Sequence, residues 1–261
     1  VSGKIAKAVN VITQERMQNQ QDISGSSPVP VVLGYDRTDA FDGDRGHART
    51  VDSPAERFSY AVLKRVFDVV LVLLFAPVWV PISLVLAVCV MLTSPGPIFF
   101  SHRRIGRAGK FFSMWKFRTM CENSAEVLEH YLASHPELRE EWAENHKLKN
   151  DPRVTPLGGF LRRSSLDELP QLWNVLTGRM SLVGPRPIVA AEAERYGRDF
   201  AYYLAVKPGI SGLWQASGRS TLSYDERVLL DRRYVEEWSL GSDFKILLRT
   251  VTKVVNSHGA Y

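Results

Sequence analysis

From Val69 to Leu92 the chain reads "VVLVLLFAPVWVPISLVLAVCVML", without one charged residue. An uncharged run of that length meets the criterion for a membrane segment, whereas buried core helices are usually shorter. Pro77 and Pro81 stand in its middle. Each removes a backbone N–H and clashes with the carbonyl four residues earlier, so the run predicts a helix sharply broken at the prolines. Lys64 and Arg65 precede the run, and Arg103, Arg104, Arg107 and Lys110 follow it. Basic residues hold to the cytoplasmic side, and here both ends are basic. A straight helix of this length crosses a hydrocarbon core of about 30 Å, while each half reaches only about 18 Å. Two short arms meeting at the prolines predict a re-entrant hairpin in one leaflet over residues 59–98; a kinked single span with some tilt is the alternative.

Residues 1–58 carry polar clusters such as "NQQDISGSSP" and "DRTDAFDGDRG" and no sustained periodicity, which predicts a disordered tail. Its aspartates, Asp39, Asp42 and Asp44, miss the spacing of a calcium loop, and no basic n-region with an apolar h-region opens the sequence. Cys89 and Cys121 form no C-x-x-C pair. Neither a disulfide framework nor a zinc site is suggested, and a reducing, cytoplasmic setting fits. A net charge of +5 and a pI near 9.2 point to an anionic partner: nucleic acid, lipid headgroups or a phosphorylated substrate.

Beyond the apolar run the pattern becomes that of an α/β unit over residues 99–261. "PIFFSHRRIGRAGKFFSMWKFRTM" predicts two short strands around a turn at Arg107 to Lys110, with basic residues along both arms. Residues 122–149 read as helix broken near Pro136, with a solvated charged face, and "NDPRVTPLGGFLRR" as a loop with a short helix behind it. Phe244, Leu247, Leu248, Val251 and Val255 line one face of a C-terminal helix, with Lys245, Arg249 and Lys253 elsewhere. Such a helix lies on an anionic bilayer or packs on a core, and the pattern fits both.

The stretch "LRRSSLDELPQLWNVLTGRMSLVGPRP" sets two carboxylates, Asp167 and Glu168, side by side. Ser165 and Glu168 match a capping box, Leu169, Leu172 or Trp173, and Leu176 form an apolar stripe, and Gly178 suits the helix end. Pro170 is tolerated only in a first turn, so the helix is predicted to start between Ser165 and Asp167. Acids there can simply cap a helix and offset its dipole. Their neighbours add a second meaning. Arg162, Arg163 and Arg186 suit bidentate binding of phosphate, a helix N-terminus offers N–H groups to the same anion, and two acids beside a phosphate call for Mg2+. Arginines, acids and metal together describe phosphoryl transfer, without a Walker-type loop or kinase signature in the sequence.

"LKRVFDVVLVLLFAPVWVPISLVL", "KFRTM", the acid-bearing stretch above and "KPGISGLWQASGR" together resemble the bacterial sugar transferases, the monotopic phosphoglycosyl transferases that start polysaccharide assembly. The resemblance covers residues 60–261. It implies a mainly helical, membrane-associated α/β domain that transfers a hexose 1-phosphate, galactose or glucose, from a UDP-sugar to undecaprenyl phosphate with Mg2+, releasing UMP at the cytoplasmic leaflet of the inner membrane. It makes Asp167 the nucleophile that forms a covalent phosphosugar adduct and a ligand to the metal. Glu168 then assists attack by the acceptor, the two side chains pointing about 100° apart on a helix. Arg162, Arg163, Pro185 and Arg186 match donor-phosphate positions, Lys116 and Arg118 a basic segment near the site, and Lys207 and Gly209 a stretch shaping the same pocket. A homodimer is compatible with the resemblance, and nucleic acid is not a partner under it. The family often carries Ser-Pro at the membrane break; here Ala76 precedes Pro77, which leaves the cap of the freed carbonyls open, with Ser83 nearby. The rival reading is a non-catalytic, membrane-attached basic module for nucleic acid or anionic lipid, with "KFFSMWKFR" as its contact surface. It leaves the Asp-Glu pair unexplained.

Overall fold

The computed structural model describes residues 58–145, 148, 150–217 and 222–256. The tail expected over residues 1–58 lies, except for Phe58, outside the described residues. The apolar run forms two helices, α1 (Phe58–Leu74) and α2 (Ala76–Thr93). They part at Phe75, whose φ of −91° and ψ of 2° leave the helical region. The break thus falls just ahead of Pro77 and not at both prolines: Pro77 opens α2, where its missing N–H costs nothing, and Pro81 is carried inside the helix. The indole N–H of Trp79 donates to the Val72 carbonyl at 3.0 Å and satisfies an acceptor near the break. Ser83 does not take that part; its hydroxyl is buried without a partner.

The length and composition of α2 would let it cross a membrane. It is no core helix, because Leu84, Val85, Val88, Met91 and Leu92 are exposed, as are Val62, Leu63, Val66 and Val70 of α1. Both arms nonetheless reach the body. Val72 and Trp79 pack with Phe112, Met114, Val175 and Met180, and Leu86 and Val90 pack with Phe117 and Leu161. A straight helix would hold Val72 and Val90 about 27 Å apart, whereas Phe112 and Phe117 on one strand are only about 17 Å apart. The break lets both arms meet the same strand.

That strand is β2 (Phe111–Phe117), antiparallel to β1 (Phe99–Ile105) around a tight turn at Arg107–Gly109, as predicted. Helices α3 (Ser124–Ser134) and α4 (Leu138–Asn145) follow, interrupted around Pro136 as expected. Then come α5 (Pro156–Arg163), a 3-10 turn at Leu166–Glu168, α6 (Gln171–Leu176), β3 (Ser181–Val183) and a 3-10 segment over Ala190–Asp199. The chain closes with α7 (Phe200–Ala205), β4 (Gly209–Ser211), α8 (Leu213–Ser217), α9 (Tyr224–Glu236) and α10 (Leu240–Asn256). β4 lies parallel to β3. The unit is mainly helical with two small sheets.

Lys64 and Arg65, read from the sequence as charges flanking a membrane segment, clamp α1 to this body. Lys64 is buried and pairs with Asp243 of α10 at 2.8 Å and with Asp68 at 3.3 Å. Asp68 also accepts from the Leu182 amide, and Asp243 from the Tyr234 hydroxyl and the Trp238 indole. Arg65 donates to the carbonyls of Val175 and Leu176, closing the end of α6. On α10 the apolar stripe divides: Ile246 is buried and Leu247 packs against the core, while Phe244, Leu248 and Val251 face outward. The side chain of Val255 lies outside the described residues.

Candidate active site

Thr155 caps α5 by accepting from the Gly158 amide at 2.9 Å, and its own amide donates to Thr119 at 3.0 Å, just past the end of β2. A Cβ on Gly158 would collide with the Thr119 carbonyl, so this close approach of helix and strand requires glycine. It delivers Arg162, in the last turn of α5, whose Nε donates to Thr119 Oγ1 at 2.9 Å. On the other side, the buried Asn174 of α6 acts as a surrogate strand partner for β2. Its Nδ2 donates to the Ser113 carbonyl at 2.8 Å and its Oδ1 accepts from the Trp115 amide at 3.1 Å. Lys116, the next residue on β2, is thereby held over the acid turn.

The acids do not stand where a capping box would put them. Ser165 adopts a left-handed conformation (φ 57°) with no side-chain cap, turning the chain sharply out of α5. A single 3-10 turn follows, and α6 starts only at Gln171, with Pro170 ahead of it. The expected apolar stripe also shifts: Gln171, Asn174 and Val175 are buried, and Trp173 is exposed. Leu166 and Leu169, which flank the acids, pack in the same cluster as Leu86 and Val90 of α2. The acid turn is thus fastened at the end of the apolar arm.

Both carboxylates converge on Lys116. Its Nζ lies 3.3 Å from Asp167 Oδ2 and 2.6 Å from Glu168 Oε1. The roughly 120° step of a 3-10 turn still separates their environments: the Asp167 side chain is 10% exposed and that of Glu168 36%. Burial pushes the Asp167 carboxyl above its ordinary range, Lys116 opposes it, and Glu168 adds to it; the charge of Arg162 also draws it down. Burial alone would lower the Lys116 ammonium, yet Glu168 and Asp167 together hold it above the ordinary lysine value. The result is a largely dehydrated carboxylate whose ionised form Lys116 and Arg162 favour against burial.

The structure therefore brings Lys116, Arg162, Asp167 and Glu168 together. Arg163 lies against Gly159 on its own helix. Arg118 is buried, and its guanidinium donates to the carbonyls of Ser94, at 2.6 Å, and Pro95, closing the end of α2. Gly209 donates to the Pro185 carbonyl at 2.8 Å, and a Cβ there would strike the Gly184 amide, so β4 fixes the loop that presents Arg186. Arg186 is exposed, with its guanidinium 5.7 Å from the Trp214 ring. Lys207 sits beside Gly178 and Arg65 at the far end of α6 from the acids. Burial and the charge of Arg65 lower its ammonium.

Sequence reasoning missed Asn174, His102 and Arg104. Nothing in a helical stripe marks Asn174 as a strand surrogate. For the other two the signal was the basic repeat "SHRRIGR". Register pairs Phe100 with Lys116, His102 with Met114 and Arg104 with Phe112, so Lys116, His102 and Arg104 share one face of the hairpin.

With this geometry, the family model described as Bacterial sugar transferase matches residues 59–257. The chain belongs to that family. It is 49% identical over 211 residues to a UDP-galactose-lipid carrier transferase of Erwinia amylovora, covering 81% of this chain and 44% of that protein. An undecaprenyl-phosphate galactose phosphotransferase of Salmonella typhimurium is 51% identical over 199 residues, 76% of this chain and 42% of the relative. The exopolysaccharide production protein ExoY of Rhizobium meliloti is 46% identical over 198 residues, 76% of this chain and 88% of the relative. This sugar transferase chain spans less than half the length of the first two relatives and most of the third. The matched region takes in the apolar run of α1 and α2 as well as the acid turn, so the two belong to one family unit.

Proposed function

We propose that this sugar transferase moves a hexose 1-phosphate from a UDP-sugar to undecaprenyl phosphate at the cytoplasmic face of the bacterial inner membrane, as a first step of exopolysaccharide assembly. The observation that carries this reading is the Asp167–Lys116–Glu168 cluster fastened by Leu166 and Leu169 to the end of the apolar helix α2. A lipid-borne phosphate and a water-borne nucleotide sugar can both reach acids placed at that level. The relatives named for UDP-galactose and for undecaprenyl phosphate supply the substrate classes.

Asp167 attacks the sugar-bearing phosphorus of the donor. A phosphosugar–aspartyl bond forms, the diphosphate P–O bond breaks, and UMP leaves with the electron pair. Arg162 and Arg186 bind phosphate oxygens, and Lys116 holds Asp167 ionised. Glu168, the more exposed acid, takes a proton or aligns the acceptor phosphate as it displaces the aspartate. Mg2+ fits the donor set. Asp167 and the more exposed Glu168 are the carboxylates that would hold it, since an ion that keeps several waters and binds phosphate needs few oxygen ligands from the protein. Among the described residues no group of three or more His, Cys, Asp or Glu gathers to hold a metal alone. Held there, it would supply positive charge to offset that of the donor phosphates and the departing UMP.

Incubation with Mg2+ and the correct UDP-sugar, without acceptor, should release UMP and leave a phosphosugar on Asp167, read by mass spectrometry of the quenched enzyme. Asp167→Asn should abolish both. An unmodified Asp167 while product accumulates would defeat the covalent route. The re-entrant placement of α1 and α2, supported by both arms meeting β2, is tested separately. With Cys89 and Cys121 replaced by serine, cysteines at Ser59 and Ser101 should be labelled only from the cytoplasmic side, and outside labelling of one would leave the single span.

A further inference from the structure

Among the described residues six buried side-chain polar atoms have no hydrogen-bond partner, and three of them are Arg104 Nε, Tyr224 Oη and Asp231 Oδ1. These three belong to one place in the fold. Ile105, next to Arg104, donates its amide to Ile188 at 3.0 Å, which lays the end of β1 beside the loop presenting Arg186. Tyr224 and Asp231 stand seven residues apart on one face of α9. Tyr196 touches both, with ring centroids 6.1 Å apart to Tyr224 and its hydroxyl donating to Asp231 Oδ2 at 2.8 Å. The charge of Arg186 acts on Arg104, Tyr224 and Asp231 alike.

A buried polar atom without a partner is costly, and three around one exposed arginine describe a site that a ligand completes. Their chemistry is selective. Arg104 Nε–H donates, Asp231 Oδ1 accepts and the Tyr224 hydroxyl donates. A uracil ring presents the complementary set on its imide edge: two carbonyl acceptors flanking one N–H donor. Cytosine, with an amino donor and a ring-nitrogen acceptor, mismatches two of the three. Charge agrees with a diphosphate on the same ligand, because Arg104 pairs with Glu192, Arg186 and Arg227 lie against the Trp214 ring, and Arg195 lies against the Tyr224 ring. Position agrees as well. Arg104 lies four residues along β1 from Phe100, the partner of Lys116, so it is about 13 Å from the acids on the same face, a span that an extended nucleoside diphosphate covers. Arg186 and Arg195, which lie against the rings of Trp214 and Tyr224, are both exposed long side chains that can move to admit it.

We propose that Arg104, Tyr224 and Asp231 read the imide edge of a uracil base, which makes this pocket the nucleobase-specificity site for the donor. The inference rests on the UDP-sugar reading of the acid site. Calorimetric titration of the full chain in detergent with UDP and with CDP, in the presence of Mg2+, tests it. The wild-type protein should bind UDP at least about tenfold more tightly than CDP, the range expected for hydrogen bonds to a charged group. Tyr224→Phe, which removes only a hydroxyl, should cut that ratio severalfold, and Asp231→Asn should bring it close to one. Equal binding of the two nucleotides by the wild type, or an unchanged ratio in the variants, overturns the proposal; if Asp231→Asn fails to fold in a thermal melt, Tyr224→Phe alone decides. UMP release from UDP-sugars is followed in parallel. Release without nucleotide discrimination removes the pocket and leaves the transfer reading, whereas discrimination without release keeps the pocket and removes the transfer.

Discussion

Replacing Lys116 by methionine removes one charge while keeping most of the side-chain volume, and the structure fixes what that should cost. At 3.3 Å from Asp167 and an effective dielectric near 20, the pair is worth about 5 kcal/mol. The lysine side chain keeps 27% of its surface in water, so roughly half of that, about 2–3 kcal/mol, survives screening. At about 1.4 kcal/mol per factor of ten, UMP release at neutral pH should slow by about 30- to 140-fold. The sign of the pH effect follows from the same contact. Burial already raises the Asp167 carboxyl, and Lys116 is its largest opposing influence. Without the lysine a larger fraction of Asp167 is protonated at neutral pH and unable to attack, so the acidic limb of the rate profile moves upward and raising the pH restores part of the rate. The assay is initial UMP release across pH, beside a thermal melt to show that the variant folds. A deficit that is the same at acidic and alkaline pH, or a rate within a few-fold of wild type, would refute the argument that Lys116 works by keeping Asp167 ionised.

Lys64→Met leaves Asp68 and Asp243 buried without their cation, and it should destabilise the protein by about 3–5 kcal/mol in a denaturant titration; a neutral result would mean that water replaces the lysine. Asp231 gives stability a pH dependence. Its carboxyl is pushed by burial from 3.8 to about 7, so the fold is favoured below the ordinary carboxylate range and loses up to about 4 kcal/mol as pH rises through that window. Melting temperatures of wild type and Asp231→Asn compared between pH 4 and 8 check this, and parallel curves would sink it.

Much of the site was legible because its signals are local. The acid pair, the arginines before it, the hairpin in "FFSHRRIGRAGKFF" and the helix end at Gly178 all follow from residues within a few positions of one another. Readings that depended on distant partners changed. A capping box was expected at Ser165 because Ser and Glu three apart satisfy the rule. The chain uses a left-handed serine and a 3-10 turn instead, since it must turn out of α5 and pass Pro170 before α6 can begin. Arg118 matches the family's basic segment in sequence, yet its guanidinium is engaged by the carbonyls ending α2.

By itself the sequence determined that an uncharged helical run is broken in its middle, that a basic α/β unit follows it, and that two adjacent acids lie among arginines. Those are consequences of composition and short-range spacing. The tertiary structure decided where the acids point and what they meet. Lys116 lies on a strand that Asn174 and Gly158 help to hold over the turn, and the strand meets both arms of the apolar run because the helix breaks at Phe75. It also decided that Lys64 and Arg65 would join the body, since a buried ion pair forms only when a carboxylate such as Asp243, far along the chain, arrives in a site already closed to water. Spacing along a chain sets which side chains share a face; the charge and burial they meet there depend on packing between segments remote in sequence.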